Sequence, residues 1–421
     1  MNEPPLPTLA DVQDAHEVIK PHIFRTPLVR SHRLGKICGC ELYFKLENSQ
    51  FTGSFKDRGV SNKLARLGDQ ELKKGVITAS AGNHAQAVAA HCGRMNISAT
   101  IVMPLGTPLI KVVSTQGYGS EVILHGETYD DAYDRAMELA HTKSLTFIPA
   151  FNDLHVVAGQ GTIALEIMEE MPEGPDVLIC PVGGGGLIGG IALTFKHLRP
   201  QTHIVGVQSQ AVPGMITALN TGKVVRVDAA GSLADGIAVR QVGELTLALA
   251  QRYVDEWTAV QEEQIANAVL LLLENEKTVA EGAGAVPVAA LVNRQISSTD
   301  GKKVVCVISG GNIDVNILDR IIVRGLALDG RVFHFTLELP DKPGQLAGVL
   351  EVIKSLQANI LEIDHHREFN YAPFGNVYIE ITLETRGHQH IALIKDKLQE
   401  KGYRLIRQHL SPREEIMDCR G

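Results

Sequence analysis

Short apolar runs alternate with segments of helical periodicity along the first three quarters of the chain. "GVITAS" (75–80) is followed by "HAQAVAAHCG" (84–93), and "DVLICP" (176–181) by "LIGGIALTFKHL" (187–198). Continuous apolar strands between helices are typical of βαβ units, in which helices cover both faces of a parallel sheet. The pattern therefore predicts an α/β body built on parallel sheets.

The pattern changes from about residue 331. "RVFHFTLEL" (331–339) reads as a strand and "GQLAGVLEVIKSLQ" (344–357) as a helix, and then come two strands, a helix and a last strand. This βαββαβ order is a complete ferredoxin-like unit. We therefore predict a separate domain over residues 331–421, with "RGLALDG" (324–330) as the boundary segment.

Composition excludes several classes of function. The 421 residues carry a net charge of −8, whereas nucleic-acid and anionic-membrane partners call for a basic surface. No apolar run approaches the roughly 18 residues of a membrane span. The first residues, "MNEPPLPTLADVQ", lack the basic and apolar regions of a signal peptide, so a cytoplasmic protein is expected.

Three glycine-bearing loops follow predicted strands, where open parallel sheets bind ligands. They are "TASAGNHAQA" (78–87), "PVGGGGLIGG" (181–190) and "ISGGN" (308–312). Four consecutive glycines at a helix start expose backbone N–H groups at the positive end of the helix dipole, which suits a phosphate. The alternative is close packing of a helix on the sheet, which accounts for only one or two of these glycines.

A single lysine, Lys56, stands in "SFKDRG" (54–59) beside Phe55. A phosphate site together with one isolated lysine suggests a phosphorylated aldehyde held as an imine, namely pyridoxal 5'-phosphate (PLP). Burial against Phe55 would lower the pKa of the lysine and free its amine for this bond. Composition alone favours the reading of Lys56 as an ordinary charged residue, and the three loops together reverse that balance.

Taken together, "SFKDRG", "SAGNHAQAVA", "GGGGLIGG" and "SGGN", in this order and spacing, resemble the fold-type II PLP enzymes. Within that group the chain is similar to threonine dehydratases and to their relative serine racemase, over roughly residues 5–322. The resemblance implies two open twisted parallel-sheet domains. The larger would comprise residues 1–56 and 155–322, and the smaller, on the substrate side, residues 57–154.

The resemblance also implies roles for individual residues. Lys56 would carry the cofactor and remove the α-proton of the substrate. The cofactor would further contact Phe55, Asn83, Gly183, Gly184, Gly185, Gly186, Gly236 and Ser309. The substrate carboxylate would be received by the loop of Ser80, Ala81, Gly82, Asn83 and His84.

The implied reaction is β-elimination of L-threonine, and of L-serine, to a 2-oxo acid and ammonia. Ser309 at the pyridine nitrogen is neutral, which favours a reaction whose leaving group departs promptly. A racemase would need a second base, and the racemase branch has a serine where this chain has Ala81. A β-replacement enzyme and a non-catalytic amino-acid sensor remain alternatives.

Glu281 in "EGAGA" is either a site residue or a carboxylate stabilised by a helix dipole.

No metal site is predicted. The racemase branch has a glutamate ligand at the position of Gln208, and an amide is a poorer ligand than a carboxylate for a hard dication.

The C-terminal segment "LELPDKPGQLAGVLEVI" resembles an ACT domain, a regulatory module that binds amino acids. The resemblance implies an effector, isoleucine or valine, at Asp341, Gly344 and Asn359, and a homodimer or homotetramer in isoleucine metabolism. The alternative is a dimerisation domain that binds nothing.

Overall fold

The computed structural model describes residues 4–228, 231–366 and 372–408. The chain divides into two compact units, the first ending at Ile313 and the second beginning at Asp314. This division lies ahead of the boundary segment 324–330, so the domain limits derived from the sequence stay predictions. The parts of the predicted C-terminal domain at 367–371 and 409–421 lie outside the described residues.

The first unit alternates strands and helices. Its strands are β1 (Leu28–Ser31), β2 (Glu41–Leu46), β3 (Val76–Ala79), β4 (Ala99–Met103), β5 (Glu121–Leu124), β6 (Thr146–Phe147), β7 (Val177–Pro181), β8 (His203–Ser209), β9 (Glu256–Val260) and β10 (Lys303–Ile308). Its helices are α1 (Leu9–Ile19), α2 (His32–Cys38), α3 (Lys56–Ala65), α4 (Asp69–Lys74), α5 (Asn83–Met95), α6 (Leu109–Gln116), α7 (Tyr129–Lys143), α8 (Leu154–Glu170), α9 (Gly186–Leu198), α10 (Gly214–Thr221), α11 (Glu244–Tyr253), α12 (Glu262–Leu271) and α13 (Gly282–Val292).

Six strands form the larger sheet, in the order β1-β2-β10-β7-β8-β9. Every pairing is parallel except that of β1 with β2 at one edge. All residues of β7 are buried, as expected for a central strand covered on both faces. Helices α8 and α9 pack on each other and supply core residues such as Ile163 and Ile191.

The smaller sheet has the order β5-β4-β3-β6 and is parallel throughout. Strands β3 and β4 are fully buried, and α5 contributes a run of small residues, including Ala87 and Val88, to their core. In both sheets the loops that follow the carboxyl ends of the strands are therefore available to form a ligand site.

The second unit begins with α14 (Val315–Leu328). It continues with β11 (Val332–Pro340), α15 (Gln345–Ser355), β12 (Asn359–His366), β13 (Asn376–Glu384), α16 (His388–Glu400) and β14 (Arg404–Gln408). The four strands form an antiparallel sheet in the order β12-β13-β11-β14, and burial alternates along β13. The predicted α/β body and the C-terminal βαββαβ order are confirmed.

Across the described ranges, no helix combines the length and the apolar character that a membrane crossing requires.

Candidate active site

A cavity of about 1020 Å³ in the first unit is lined by residues that follow strands of both sheets. The structure brings all the first-unit residues predicted for the site to this cavity. They are Phe55, Lys56, Ser80, Ala81, Gly82, Asn83, His84, Gly183, Gly184, Gly185, Gly186, Gly236 and Ser309. Motifs that are far apart in the sequence therefore share one ligand-sized space.

Lys56 is the first residue of α3, and its side chain reaches the wall of the cavity. Its Nζ donates a hydrogen bond to the carbonyl oxygen of Ala150 at 2.8 Å and lies 5.0 Å from the centroid of the Phe55 ring. Burial lowers the pKa of this amine to about 8, against the opposing field of Glu281. A usable fraction of Lys56 is therefore neutral near neutral pH, as a nucleophilic amine requires.

The lowered pKa predicts how the rate of cofactor uptake depends on pH. Because the neutral amine reacts, uptake of PLP by the apo-protein should rise roughly tenfold per pH unit up to about pH 8 and then level off. The measurement is the absorbance time course after mixing, corrected with N-acetyl-lysine for the cofactor's own titration. A rate that keeps rising to about pH 10, as for an ordinary lysine, would contradict the lowered pKa of Lys56.

The four glycines Gly183–Gly186 connect β7 to the start of α9. Gly185 has φ +89°, a conformation that other residues rarely adopt. Within the described ranges, the four amide groups donate no hydrogen bond to another residue. Unpaired donors at the positive end of a helix dipole fit the phosphate of PLP, so the residues present suit this cofactor.

A methyl group at Gly184 should weaken cofactor binding. A Cβ atom there would lie 2.4 Å from ring atoms of Phe151, which itself lines the cavity, so the loop or the ring must move. For Gly184→Ala we expect about a tenfold or larger loss of PLP affinity, measured by equilibrium dialysis. Gly106→Ala is the control, since a Cβ at Gly106 meets nothing within 4 Å. Equal affinities in the two variants would contradict a tight phosphate loop.

The loop before α5 presents the start of a 13-residue helix to the cavity. The Gly82 amide donates to Ser80 Oγ at 3.2 Å, which holds the loop closed. His84 is buried, and its Nε2–H donates to the carbonyl oxygen of Ile148 at 3.0 Å. Burial, helped by the nearby Lys56, lowers the pKa of His84 to about 3, so the ring is neutral. A carboxylate bound at this loop would therefore be held by the helix N-terminus rather than by a charged histidine.

The end of β10 ties the lysine segment to the third glycine loop. The Phe55 amide donates to the carbonyl oxygen of Ser309 at 3.0 Å, and the Gly311 amide donates to the carbonyl oxygen of Gly53 at 2.9 Å. Ser309 is buried at the cavity wall. The backbone thus fixes Lys56 and Ser309 relative to each other.

Glu281 belongs to the site, although the sequence leaves its role open. It precedes α13 but makes no side-chain capping bond, and its Oε1 accepts a hydrogen bond from Asn83 Nδ2 at 2.7 Å. Burial, followed by the field of Asp235, raises the pKa of Glu281 to about 7. No sequence signal connects Glu281 to Asn83, because 198 residues separate them.

Two ion pairs at the cavity also went unpredicted. Lys111 on α6 pairs with Asp235 at 3.0 Å, and Arg226 pairs with Asp130 at the start of α7. All four residues line the cavity. Each pair joins a residue before position 150 to one after position 220, so together they bridge the two groups of loops.

Both ends of the Gln208 side-chain amide are hydrogen-bonded within the protein. Its Nε2 donates to the carbonyl oxygen of Val182 at 3.1 Å, and its Oε1 accepts from the Ile216 amide at 2.9 Å. The described part of the chain contains no cluster of His, Cys, Asp and Glu that could hold a metal ion.

The predicted effector residues lie in the second unit. Gly344 precedes α15 with φ +89°, and the Asp341 amide donates to the carbonyl oxygen of Gly375. Asn359 is at the opposite end of β13 from these two, where its Nδ2 donates to Glu384 Oε2 at 3.2 Å. The length of β13 separates the two ends by roughly 26 Å. The structure therefore does not bring the three residues together within one chain.

Comparison with known proteins agrees with this site. The model of the family "Pyridoxal-phosphate dependent enzyme" matches residues 19–310. An L-threonine ammonia-lyase of Thermotoga maritima is 47% identical over 396 residues, which cover 94% of this chain and 98% of that protein.

Two solved structures are also similar. The processed form of threonine deaminase isoform 2 from Solanum lycopersicum has TM-score 0.70 and 37% identity, covering 74% of this chain and 91% of that one. A serine racemase from Dictyostelium discoideum has TM-score 0.69 and 35% identity, covering 73% and 99%. From the family match and the arrangement of the cavity together, this chain belongs to the pyridoxal-phosphate dependent enzymes.

Proposed function

We propose that this protein converts L-threonine to 2-oxobutanoate and ammonia. The observation that carries the proposal is the sharing of one cavity by three features. They are Lys56 with its lowered pKa, the four glycines Gly183–Gly186 whose amide groups are unpaired among the described residues (the glycine cradle), and the start of α5. The name of the Thermotoga maritima relative supports threonine as the substrate, since that protein matches nearly the whole chain.

The predicted site residues that line the cavity each have a proposed task. Bound PLP supplies an electron-accepting ring beside the α-carbon of the substrate. The Lys56 amine would hold the cofactor through its aldehyde and, once released from that bond, would take the α-proton, and Gly183–Gly186 would hold the phosphate. The loop from Ser80 to His84 orients the substrate carboxylate at the start of α5. Phe55 and Gly236 would border the cofactor ring, and the hydroxyl of Ser309 would face its pyridine nitrogen.

Racemisation is the competing reaction, because a serine racemase is among the similar structures. A racemase needs a proton donor on the face of the α-carbon opposite the lysine, and the methyl group of Ala81 carries no exchangeable proton. We therefore expect 2-oxo acid release with no D-allothreonine from L-threonine and no D-serine from L-serine, measured by chiral chromatography of the reaction mixture. A D-amino acid as main product would favour the racemase.

L-Serine is the second proposed substrate. It differs from threonine by one methyl group, which changes binding by only about 1–3 kcal/mol in an apolar pocket. We expect pyruvate from L-serine at a lower kcat/KM than 2-oxobutanoate from L-threonine. Parallel assays with lactate dehydrogenase as the coupling enzyme measure both.

We also propose that the C-terminal unit is an ACT domain that binds isoleucine or valine. Asp341, Gly344 and Asn359 would form one effector site only if Asn359 came from a second copy of the chain, so the proposal requires a homodimer or homotetramer. Sedimentation with and without isoleucine, together with activity measured at increasing isoleucine concentration, tests both the oligomer and its effector. An isoleucine-insensitive oligomer would leave the unit as a dimerisation domain. The same proposal places the protein in the cytoplasm and gives it a role in isoleucine metabolism.

A further inference from the structure

Three side chains at the cavity form one line of hydrogen bonds. Asn312 Nδ2 donates to the carbonyl oxygen of Thr52 and to Asn83 Oδ1, both at 2.8 Å. Asn83 Nδ2 in turn donates to Glu281 Oε1 at 2.7 Å. The line connects Thr52, just before the Lys56 segment, to the loop 308–312, the start of α5 and the start of α13.

The line has only one possible direction. A backbone carbonyl can only accept, so the NH₂ group of Asn312 must face Thr52 and, with it, the oxygen of Asn83. The NH₂ group of Asn83 then faces Glu281 and the cavity. A carboxyl group keeps an accepting oxygen in either protonation state, so the direction is the same with Glu281 charged or neutral.

We propose that Glu281 and Asn312 are positioning residues that hold Asn83 with its NH₂ group, and not its oxygen, toward the cofactor. This inference rests on the proposed role of Asn83 as a donor to the cofactor's 3'-oxygen. An amide is nearly symmetric in shape, so packing alone cannot select between its two orientations, whereas the partners at its two ends do.

The surroundings keep Glu281 in this position. It is buried, with a relative exposure of 4%. A Cβ at Gly310 would lie 2.5 Å from Glu281 Oε1, and one at Gly236 would lie 3.2 Å from the same atom. Two glycines therefore leave room for the carboxyl group, which has little freedom to release Asn83.

The test compares variants that break, reverse or keep the line. Asn312→Asp puts acceptors where donors are needed, so Asn83 should turn its oxygen toward the cofactor. Glu281→Ala removes one partner, and Glu281→Gln retains an accepting oxygen. The readouts are the absorbance spectrum of the protein with PLP and the PLP dissociation constant, neither of which needs substrate.

We expect Asn312→Asp and Glu281→Ala to shift the absorbance band as Asn83→Ala does, and to weaken PLP binding on the order of tenfold. Glu281→Gln, unlike Glu281→Ala, should keep the absorbance band at its wild-type position. Asn293→Ala is the matched control, since it loses a 2.8 Å amide–carbonyl bond at the other end of α13 and should leave the band unchanged.

Two results would overturn the inference. One is a wild-type spectrum and affinity in both Asn312→Asp and Glu281→Ala, each shown to be folded by its Tm, while Asn83→Ala is altered. The other is a wild-type spectrum in Asn83→Ala itself. If either single variant fails to fold, the other decides. Oxo-acid release from L-threonine by the wild-type preparation tests the proposed function separately, so the two failures are distinguishable.

Discussion

Replacing Lys56 by alanine should abolish 2-oxo acid production from L-threonine, with a loss of at least about 10³-fold in kcat. The amine of Lys56 has a pKa lowered to about 8, and it lines the same cavity as the four glycines Gly183–Gly186. Its removal takes away both the covalent attachment of the cofactor and the base for the α-proton. The other cavity lysine, Lys111, is engaged with Asp235 and is not placed to replace it.

Two controls separate chemistry from folding in this variant. Lys74→Ala removes an exposed lysine at the end of α4 and should retain wild-type activity. Lys56→Ala should keep the wild-type Tm of the apo-protein and still bind PLP non-covalently through the glycine cradle, which reduction with borohydride followed by mass spectrometry distinguishes from covalent attachment. Substantial oxo-acid production by folded Lys56→Ala would remove Lys56 from the mechanism.

Replacing Arg58 by alanine should destabilise the first unit by about 3–5 kcal/mol. Its guanidinium is fully buried and bonds two buried carboxylates, Glu47 at 2.8 Å and Glu166 at 2.7 Å. Lys45 Nζ lies 2.7 Å from the same Glu166, so two cations neutralise two anions in the interior. Without Arg58, one buried charge pair is broken and a carboxylate is left uncompensated.

Arg66→Ala provides the comparison. Arg66 follows the same helix α3, but its ion pair with Asp14 is partly exposed, and such pairs contribute about 1 kcal/mol or less. Urea unfolding of the apo-proteins, followed by intrinsic fluorescence, should give a much lower midpoint for Arg58→Ala than for Arg66→Ala. Equal midpoints would show that the buried network does not stabilise the fold. Because Arg58 lies two residues after Lys56, the loss should also lower activity.

Most of the site could be predicted from the sequence because its parts are local motifs. Lys56 and Gly183–Gly186 each belong to a short segment whose chemistry can be predicted without the fold, and the resemblance to the fold-type II enzymes adds Ser309. Parallel strands bring such segments to one edge of a sheet, and the structure places them at one cavity.

The contacts between these motifs could not be predicted. Glu281 meets Asn83 across 198 residues, and Lys111 meets Asp235 across 124. Each depends on how the loops of one sheet meet those of the other, which no periodicity encodes. For Glu281 the sequence left a helix-dipole carboxylate as an equal alternative, and the hydrogen bond from Asn83, which only the structure reveals, favours a place in the site.

For the fold too, local patterns could be predicted and long-range pairings could not. Continuous apolar runs such as β7 and β4 identify buried parallel strands, and the alternating pattern of β13 identifies a sheet with one covered face. The antiparallel edge strand β1 was not predicted, because its four residues carry too little pattern to identify a strand or its direction. Asn359 lies far from Asp341 for a similar reason, since strand pairing sets that distance.

The most direct test of the central claim is the stoichiometry of products from L-threonine with the PLP-loaded protein. We expect equimolar 2-oxobutanoate and ammonia, formed at matching rates by the wild-type protein and by Lys74→Ala, and absent with Lys56→Ala. Wild-type protein that binds PLP through Lys56 yet releases no 2-oxo acid, or forms it only when a second substrate is added, would contradict the claim.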